Sequence, residues 1–554
     1  MSSLIIANLF KLLEDYGVRH IVCSPGSRNA PLLYEAHQRE RIQKHIVVDE
    51  RSAAFIGLGI AMITRKPVAL ICTSGSAVLN YAPAVAEAFY QSLPLIVISA
   101  DRPVEWINQD DSQTIKQTNV LSNFVKASYN FDGDRFEKNY VWYANRIINE
   151  GLITADDDRP GPVHFNIHLE GEVCHELTES NAKKIVVNKP LPILDKNDIN
   201  FLAELCYDKK IMIVAGFMPP DNKLQKAMMT LERLPNICIM AETVSNLHLS
   251  PECYIIDPAL FPLQNEDPTR FVPDIVISLG GALISRKLKE FIRKNKPPFH
   301  ISINSSESLI DCFQAVTHKL QCNPASFLKS FGKRLIFFQN KSHAVSRYRD
   351  LWNNYRKDHY KKISSFSWSD LRALDSVLKA LPECANLLLS NGTAVRYAQI
   401  LPYRNTHATY SNRGVSGIEG STSTAIGASL VYNKITCLIT GDMSFRYDMA
   451  GITSGLESEK LRIIVLDNGG GDIFRFIAAT KNLTIREKYL CVERKFPIEN
   501  IVKSFGWEYY YANSIETLEP ILKIFFKEGR NPRILHLDTT STADNAVILS
   551  KFLS

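Results

Sequence analysis

The stretch ITCLITGDMSFRYDMAGITSGLESEKLRIIVLDNGGGDIF, residues 435–474, decides how the chain is read. It holds two apolar, β-rich runs, 435–440 and 462–466, and each ends in small polar residues. The first runs into Gly441-Asp442, the second into Asp467-Asn468-Gly469-Gly470-Gly471. The residues between them suffice for one crossover helix, so the two runs read as neighbouring parallel strands. In open α/β sheets, ligands lie just beyond the carboxyl ends of such strands.

The same alternation extends in both directions. Runs at 19–23, 45–48, 68–72, 95–99 and 163–167 form a first set, with helical patterns at 4–16 and 53–63 and Gly17 as a helix C-cap. Runs at 211–215, 237–240, 275–279 and 300–303 form a second, and 387–389, 435–440, 462–466 and 534–537 a third. Strands alternating with helices imply a parallel sheet covered on both faces. The fold expected is α/β: three doubly wound parallel-sheet domains over 1–182, 183–345 and 346–554. Linkers are expected near 181–197 and 337–369. The basic segment KSHAVSRYRDLWNNYRKDHYKK reads as a solvated connecting helix.

The first and third sets end in polar residues repeatedly: Ser24-Pro25-Gly26-Ser27-Arg28, Asp49-Glu50-Arg51, Thr73-Ser74-Gly75-Ser76, Ala100-Asp101-Arg102-Pro103 and Ser390-Asn391-Gly392. The middle set offers Gly280-Gly281 and then Arg286-Lys287. A ligand held between the first and third units is expected. Asp442 and Asn468 supply hard oxygens of the kind Mg²⁺ takes alongside phosphate oxygens. The glycines at 469–471 let backbone approach a diphosphate. A helix cap at Asp442 and a simple glycine turn account for the same residues equally well. Glu50 reads either as an acid at a helix N-terminus or as a carboxylate sharing a proton with a ring nitrogen.

Composition narrows the classes. The 554 residues are 45% hydrophobic and 22% charged, as in ordinary globular chains. Lys plus Arg number 64 against 58 acidic residues, a net charge of +6, too mild to argue for nucleic acid. The start MSSLIIANLFKLLEDYG has neither the basic opening nor the cleavage site of a secretory signal, and no apolar run is long enough to span a bilayer. The 11 cysteines form no C-x-x-C pair and suggest buried thiols in a reducing cytoplasm. Gly57-Leu58-Gly59-Ile60-Ala61-Met62 lacks the third glycine of a dinucleotide fingerprint, and no P-loop, H-E-x-x-H or G-x-S-x-G motif occurs.

With these residues in hand, the sequence resembles thiamine-diphosphate-dependent enzymes, which carry Gly-Asp followed some 25–30 residues later by Asn. More closely it resembles the family of 2-succinyl-5-enolpyruvyl-6-hydroxy-3-cyclohexene-1-carboxylate synthases of menaquinone biosynthesis. The matching stretches are SPGSRNAPL (24–32), DERSAAFIGLGIA (49–61), TSGSAVLNYAPAVAEA (73–88), ADRP (100–103), TIKQ (114–117), SNRGVSGIEGSTSTAIG (411–427), GDMSFRYD (441–448) and DNGGGDIF (467–474).

The resemblance implies a pyrimidine-binding-type domain at 1–182, a central α/β domain, and a diphosphate- and Mg-binding-type domain at 346–554. It implies thiamine diphosphate held through Mg²⁺ or Mn²⁺ by Asp442, Asn468 and the Gly470 carbonyl. Ser444, Gly471 and Asp472 would line the diphosphate, Ile473 would also bind the cofactor, Ile418 would bend it with Ser416 nearby, and Glu50 would hydrogen-bond the aminopyrimidine. Ser27, Arg28, Arg102, Gln117, Arg286, Lys287, Arg396 and Arg413 would meet substrate carboxylates. The implied reaction is decarboxylation of 2-oxoglutarate and addition of the resulting succinyl carbanion to isochorismate, by a homodimer or homotetramer whose cofactor lies between two chains. Departures from the family pattern are Met443, Asp467, Lys116 and Gly392. Another thiamine-dependent carboligase of the acetolactate-synthase kind, or a non-catalytic α/β binding protein, remains as an alternative.

Overall fold

The architecture is taken from a computed structural model. It describes residues 4–170, 179–187, 194–304, 308–341, 345–361, 363–403, 406–456, 458–477, 479–492, 496–541 and 545–553. Three parallel sheets follow one another along the chain. The first contains β1 (His20–Cys23), β2 (Gln43–Ile46), β3 (Val68–Cys72), β4 (Leu95–Asp101), β5 (Ala127–Asp132) and β6 (Val163–His168), in the order β2-β1-β3-β4-β6-β5. The second contains β7 (Ile211–Ala215), β8 (Ile237–Ala241), β9 (Ile275–Leu279), β10 (Phe299–Ile303) and β11 (His318–Leu320), in the order β11-β10-β9-β7-β8. The third contains β12 (Asn386–Leu389), β13 (Ala408–Tyr410), β14 (Thr436–Gly441), β15 (Leu461–Asp467), β16 (Glu508–Ala512) and β17 (Arg533–Asp538), in the order β13-β12-β14-β15-β17-β16. The decisive stretch forms β14 and β15, paired from Thr436↔Leu461 to Gly441↔Leu466.

Strands buried on both faces were visible as apolar runs. β3, β7 and β8 are buried along their whole length, as parallel strands between helical layers must be. Four strands lack an expected counterpart: β5, β11, β13 and β16. All four lie at sheet edges. An edge strand is covered on fewer sides and carries fewer obligatory apolar residues. β2, also at an edge, lies two residues earlier than expected, paired with β1 from His20↔Gln43 to Cys23↔Ile46.

The helix after β2, Glu50–Thr64, starts where the Asp49 side chain accepts the Ser52 amide at 2.9 Å. It therefore includes Glu50, three residues before the expected start, and it contains the glycines of the incomplete dinucleotide pattern. It crosses helix Ser421–Val431 of the third unit with backbone against backbone. A Cβ at Gly59 would lie 2.0 Å from the Thr424 carbonyl oxygen, and one at Gly427 the same distance from that of Ile56. Phe55, Ile56, Ile60, Ala425, Ile426 and Leu438 share one apolar core across the two units.

The basic segment after the middle unit is not a solvated connector. Helix Tyr348–His359 buries Tyr348, Trp352 and Arg356. Trp352 packs on Phe271, and Arg356 donates to the Ile239 carbonyl of β8 at 2.9 Å. By packing, this helix belongs with the middle sheet, beyond the limit expected at 345. Among the described residues no helix is long and apolar enough to cross a membrane.

Candidate functional site

The carboxyl ends of β14 and β15 bring Asp442 and Asn468 together with a tight backbone turn. Gly441 leads directly into helix Asp442–Tyr447, so the Asp442 carboxylate stands at the strand end and is buried. Burial, then the neighbouring Asp467 and Asp370, pushes the Asp442 carboxyl up to about 7. Crowded acids without a cation raise one another's pKa, and a divalent ion relieves that repulsion. Asn468 donates through Nδ2 to Asp370 Oδ2 at 2.8 Å, while its Oδ1 is buried and has no hydrogen-bond partner among the described residues. Gly469, Gly470 and Gly471 all have positive φ, +83°, +107° and +68°, a run that turns successive backbone groups toward one concavity. An orphaned amide oxygen, an acidic carboxylate and this turn fit a divalent cation carrying a diphosphate. Among the described residues no group of three His, Cys, Asp or Glu could hold a metal; the expected donor set is of another kind, one carboxylate with an amide and a carbonyl.

The remaining expected cofactor residues lie on the segments that follow β13, β14 and β15. The Ser444 hydroxyl donates to the Ile418 carbonyl at 2.6 Å and lies 3.4 Å from the Ser421 hydroxyl, so helix Asp442–Tyr447 fixes the Ile418 loop. Ile418 is 37% exposed, large and apolar at a polar strand end. Ser416 takes φ +70°. Asp472 is buried, pairs with Arg475 at 3.1 Å and precedes the short helix that begins at Ile473.

Glu50 occupies the first turn of helix Glu50–Thr64. Burial, with Asp49 beside it, raises its carboxyl above the ordinary range, so it holds a proton more readily than an exposed acid. Its neighbour Arg51 donates to the Tyr447 carbonyl at 3.0 Å and lies over the Tyr447 ring.

The expected substrate residues fall into two cationic groups. In the first unit, Arg28 donates to the carbonyls of Leu169 and Glu170. Burial and then nearby Arg102 lower its pKa. Arg102 pairs with Asp111 at 3.1 Å. Ser27 is exposed on the same loop. Gln117 is fully buried and commits its amide internally, accepting from Gly75 N at 2.7 Å and donating to the Ala100 carbonyl at 3.0 Å. In the second group, Arg286, Lys287 and Arg396 line one cavity of about 350 Å³ with Tyr397 and Phe476. Burial, then Arg413 and Arg286, lowers the Arg396 guanidinium to about 10. Arg413 donates to Asn391 Oδ1 at 3.1 Å and to the Leu283 carbonyl at 3.3 Å. The middle unit thus contributes to a cavity built mainly on the third.

Several supporting contacts escaped sequence reading, at Glu87, which it did not name, and at Asn391 and Asp467, which it named for other reasons. Glu87, on helix Ala82–Gln91, accepts the amides of Gly414 and Val415 at 2.6 and 2.7 Å and so fastens the loop carrying Arg413, Ser416 and Ile418. Asn391 donates to the carbonyls of Asn412 and Gly417, both at 2.7 Å, from the other side of that loop. A lone acid in the apolar run AVAEAF was the available signal for Glu87. Asp467 receives His536 Nε2 at 2.9 Å, and Tyr509 lies 2.8 Å from His536 Nδ1. A carboxylate only accepts, so this departure from Asn is matched by an imidazole N–H. Gly392 takes φ +104° and ψ −131°, a conformation essentially reserved for glycine. A side chain at this position would be strained.

Comparison with known proteins follows the same division. Residues 6–120 match the thiamine pyrophosphate enzyme, N-terminal TPP binding domain, and residues 390–537 match the C-terminal TPP binding domain. Over the whole length, the chain is 37% identical to the 2-succinyl-5-enolpyruvyl-6-hydroxy-3-cyclohexene-1-carboxylate synthase of Porphyromonas gingivalis, covering 99% of this chain and 96% of that protein. The proteins of the same name from Flavobacterium psychrophilum (35% identical, 98% of each chain) and Bacteroides thetaiotaomicron (32%, 94% of this chain and 92% of the other) align similarly.

Proposed function

The chain belongs to the 2-succinyl-5-enolpyruvyl-6-hydroxy-3-cyclohexene-1-carboxylate synthase family, and from that premise we propose that it is a thiamine-diphosphate-dependent transferase. It decarboxylates 2-oxoglutarate and adds the succinyl unit to isochorismate in menaquinone biosynthesis. The carrying observation is the buried, unpartnered Asn468 oxygen near Asp442 above the 469–471 turn, inside the matched C-terminal domain.

Asp442, Asn468 and the Gly470 carbonyl would hold Mg²⁺ or Mn²⁺ on the diphosphate, and Ser444, Gly471, Asp472 and Ile473 would bind the cofactor beside them. Ile418 and Ser416 support the middle of the cofactor. Glu50 would share a proton with its aminopyrimidine ring; the raised carboxyl of Glu50 suits that exchange. When bound, the thiazolium supplies the electron sink for loss of carbon dioxide. The cationic groups bind the dianionic substrates: Arg28 and Arg102 with Ser27 in the first unit, and Arg286, Lys287, Arg396 and Arg413 in the second group. Gln117, expected among them, is buried with both ends of its amide bonded internally and holds the Gly75 turn instead. The buried, partly apolar setting of Arg396 strengthens each charge-assisted hydrogen bond it makes.

The working protein is a cytoplasmic homodimer or homotetramer, in which a second copy completes the site beside the exposed apolar residues Val48 and Ile418. The domains span 1–182, a central unit reaching about 360 once helix Tyr348–His359 is included, and the remainder. The decisive experiment assays purified protein with 2-oxoglutarate and isochorismate, with and without thiamine diphosphate and Mg²⁺. Product formation only when all four are present supports the proposal. Turnover of pyruvate without isochorismate, or a flavin requirement, would favour an acetolactate-type enzyme. Absence of cofactor uptake would leave a non-catalytic binding protein.

A further inference from the structure

The Asn468 side chain poses an orientation problem. Its amide can turn by half a rotation and exchange oxygen for nitrogen with almost no change of shape, yet only the oxygen can bind a cation. Asp370 addresses this from 98 positions away in sequence. It is fully buried at the start of helix Asp370–Ala380, whose first turn is capped by Ser369. Its Oδ2 accepts the Asn468 Nδ2–H at 2.8 Å. Its Oδ1 accepts the Thr539 hydroxyl at 2.6 Å, and its backbone amide donates to Asn545 Oδ1 at 2.9 Å. The Thr539 amide in turn donates to the Asp467 carbonyl at 2.9 Å, tying the strut back to the residue before Asn468.

A carboxylate offers acceptors only, so the amide nitrogen must face Asp370 and the amide oxygen must face away. We propose that Asp370 is a positioning residue that sets the orientation of the Asn468 amide and presents its oxygen to the divalent cation, with Thr539 as the strut that holds Asp370. This rests on the reading of Asn468 as a metal ligand. The fold thereby fixes the ligand before the ion arrives, and partners of this kind commonly govern metal affinity by about 10–100-fold.

The test measures Mn²⁺ binding by electron paramagnetic resonance at pH 8, on full-length protein with saturating thiamine diphosphate. The variants are Asp370→Asn, Thr539→Val and Asn468→Ala. Asp370→Asn keeps the shape but offers both a donor and an acceptor, so the orientation is no longer fixed. A rise in the Mn²⁺ Kd of about 10–100-fold, with a smaller rise in Thr539→Val, supports the proposal. Circular dichroism of the metal-free variants separates this from loss of folding. Weakened binding in Asn468→Ala with wild-type binding in Asp370→Asn would overturn the positioning role. Should Asp370→Asn fail to fold, unchanged binding in Thr539→Val overturns it instead. Unchanged binding in Asn468→Ala would overturn the metal assignment itself.

Discussion

The first and third sheets are wired alike and finished differently. Counted from its own first strand, each has the order 2-1-3-4-6-5. The strand ends of the first carry Arg28, Arg102 and the Asp49-Glu50 pair, whereas those of the third gather Asp442, Asp467, Asn468 and, from a neighbouring helix, Asp370. Shared topology therefore decides where a site lies, and the loops decide what it holds. On our reading, the first unit handles a proton and substrate anions, and the third handles a cation and a diphosphate.

Substitutions on each side should separate these duties. Glu50→Gln is expected to lower turnover by roughly 10²–10⁴-fold while leaving calorimetric binding of thiamine diphosphate little changed. A mutant of full activity would remove the first unit from the chemistry. Asp442→Ala should do the reverse, weakening Mg²⁺-dependent cofactor binding by more than about 100-fold before chemistry can be measured. Equal loss of binding in both mutants would dissolve the contrast. Arg396→Ala should raise the KM for one dianionic substrate by about 10–100-fold, the range for a hydrogen bond to a charged group. Measuring KM for each substrate in turn identifies which one it meets.

The smallest effect is set by pH. The Asp442 carboxyl, pushed up to about 7, is protonated below that pH, and a cation needs the carboxylate. Mg²⁺ affinity should therefore fall about tenfold per pH unit below 7 and level off above it. The metal-free fold binds this extra proton, so its stability declines as pH rises from the ordinary carboxylate range toward 7. Loaded protein escapes that decline. The gap in Tm between loaded and metal-free protein should widen from pH 5.5 to 8, and a gap that narrows would contradict the burial of Asp442 as a bare acid.

Much of this was legible in the sequence, for physical reasons. A strand sandwiched between helices has to be apolar throughout, so β3, β4, β7, β14 and β15 announced themselves. The edge strands β5, β11 and β16 did not, since residues such as those of ASYNFD and EYYYA meet water on one side, and β13, though buried, is only three residues long. The site followed the same rule. Asp442 and Asn468 stand at strand ends and carry their own motif. Asp370, Glu87 and Asn391 act through contacts closed only by folding, and a hydrogen bond spanning 98 positions leaves no local spacing to read. Arg286 and Lys287 lay between: visible as a basic pair, but joined to Arg396 only by the packing of the middle unit.

The crossing at Gly59 and Gly427 sets how such a molecule can move. Where two main chains touch with no side chains between them, there is no compliant layer to absorb sliding, and even a methyl group would collide with a carbonyl. The outer lobes must travel as a single block. Any breathing that admits bulky acids and releases gas then falls to the surface loops, because the middle lobe is itself pinned to the third through Thr243 and Asn246 and lends Arg286 and Lys287 to the cavity.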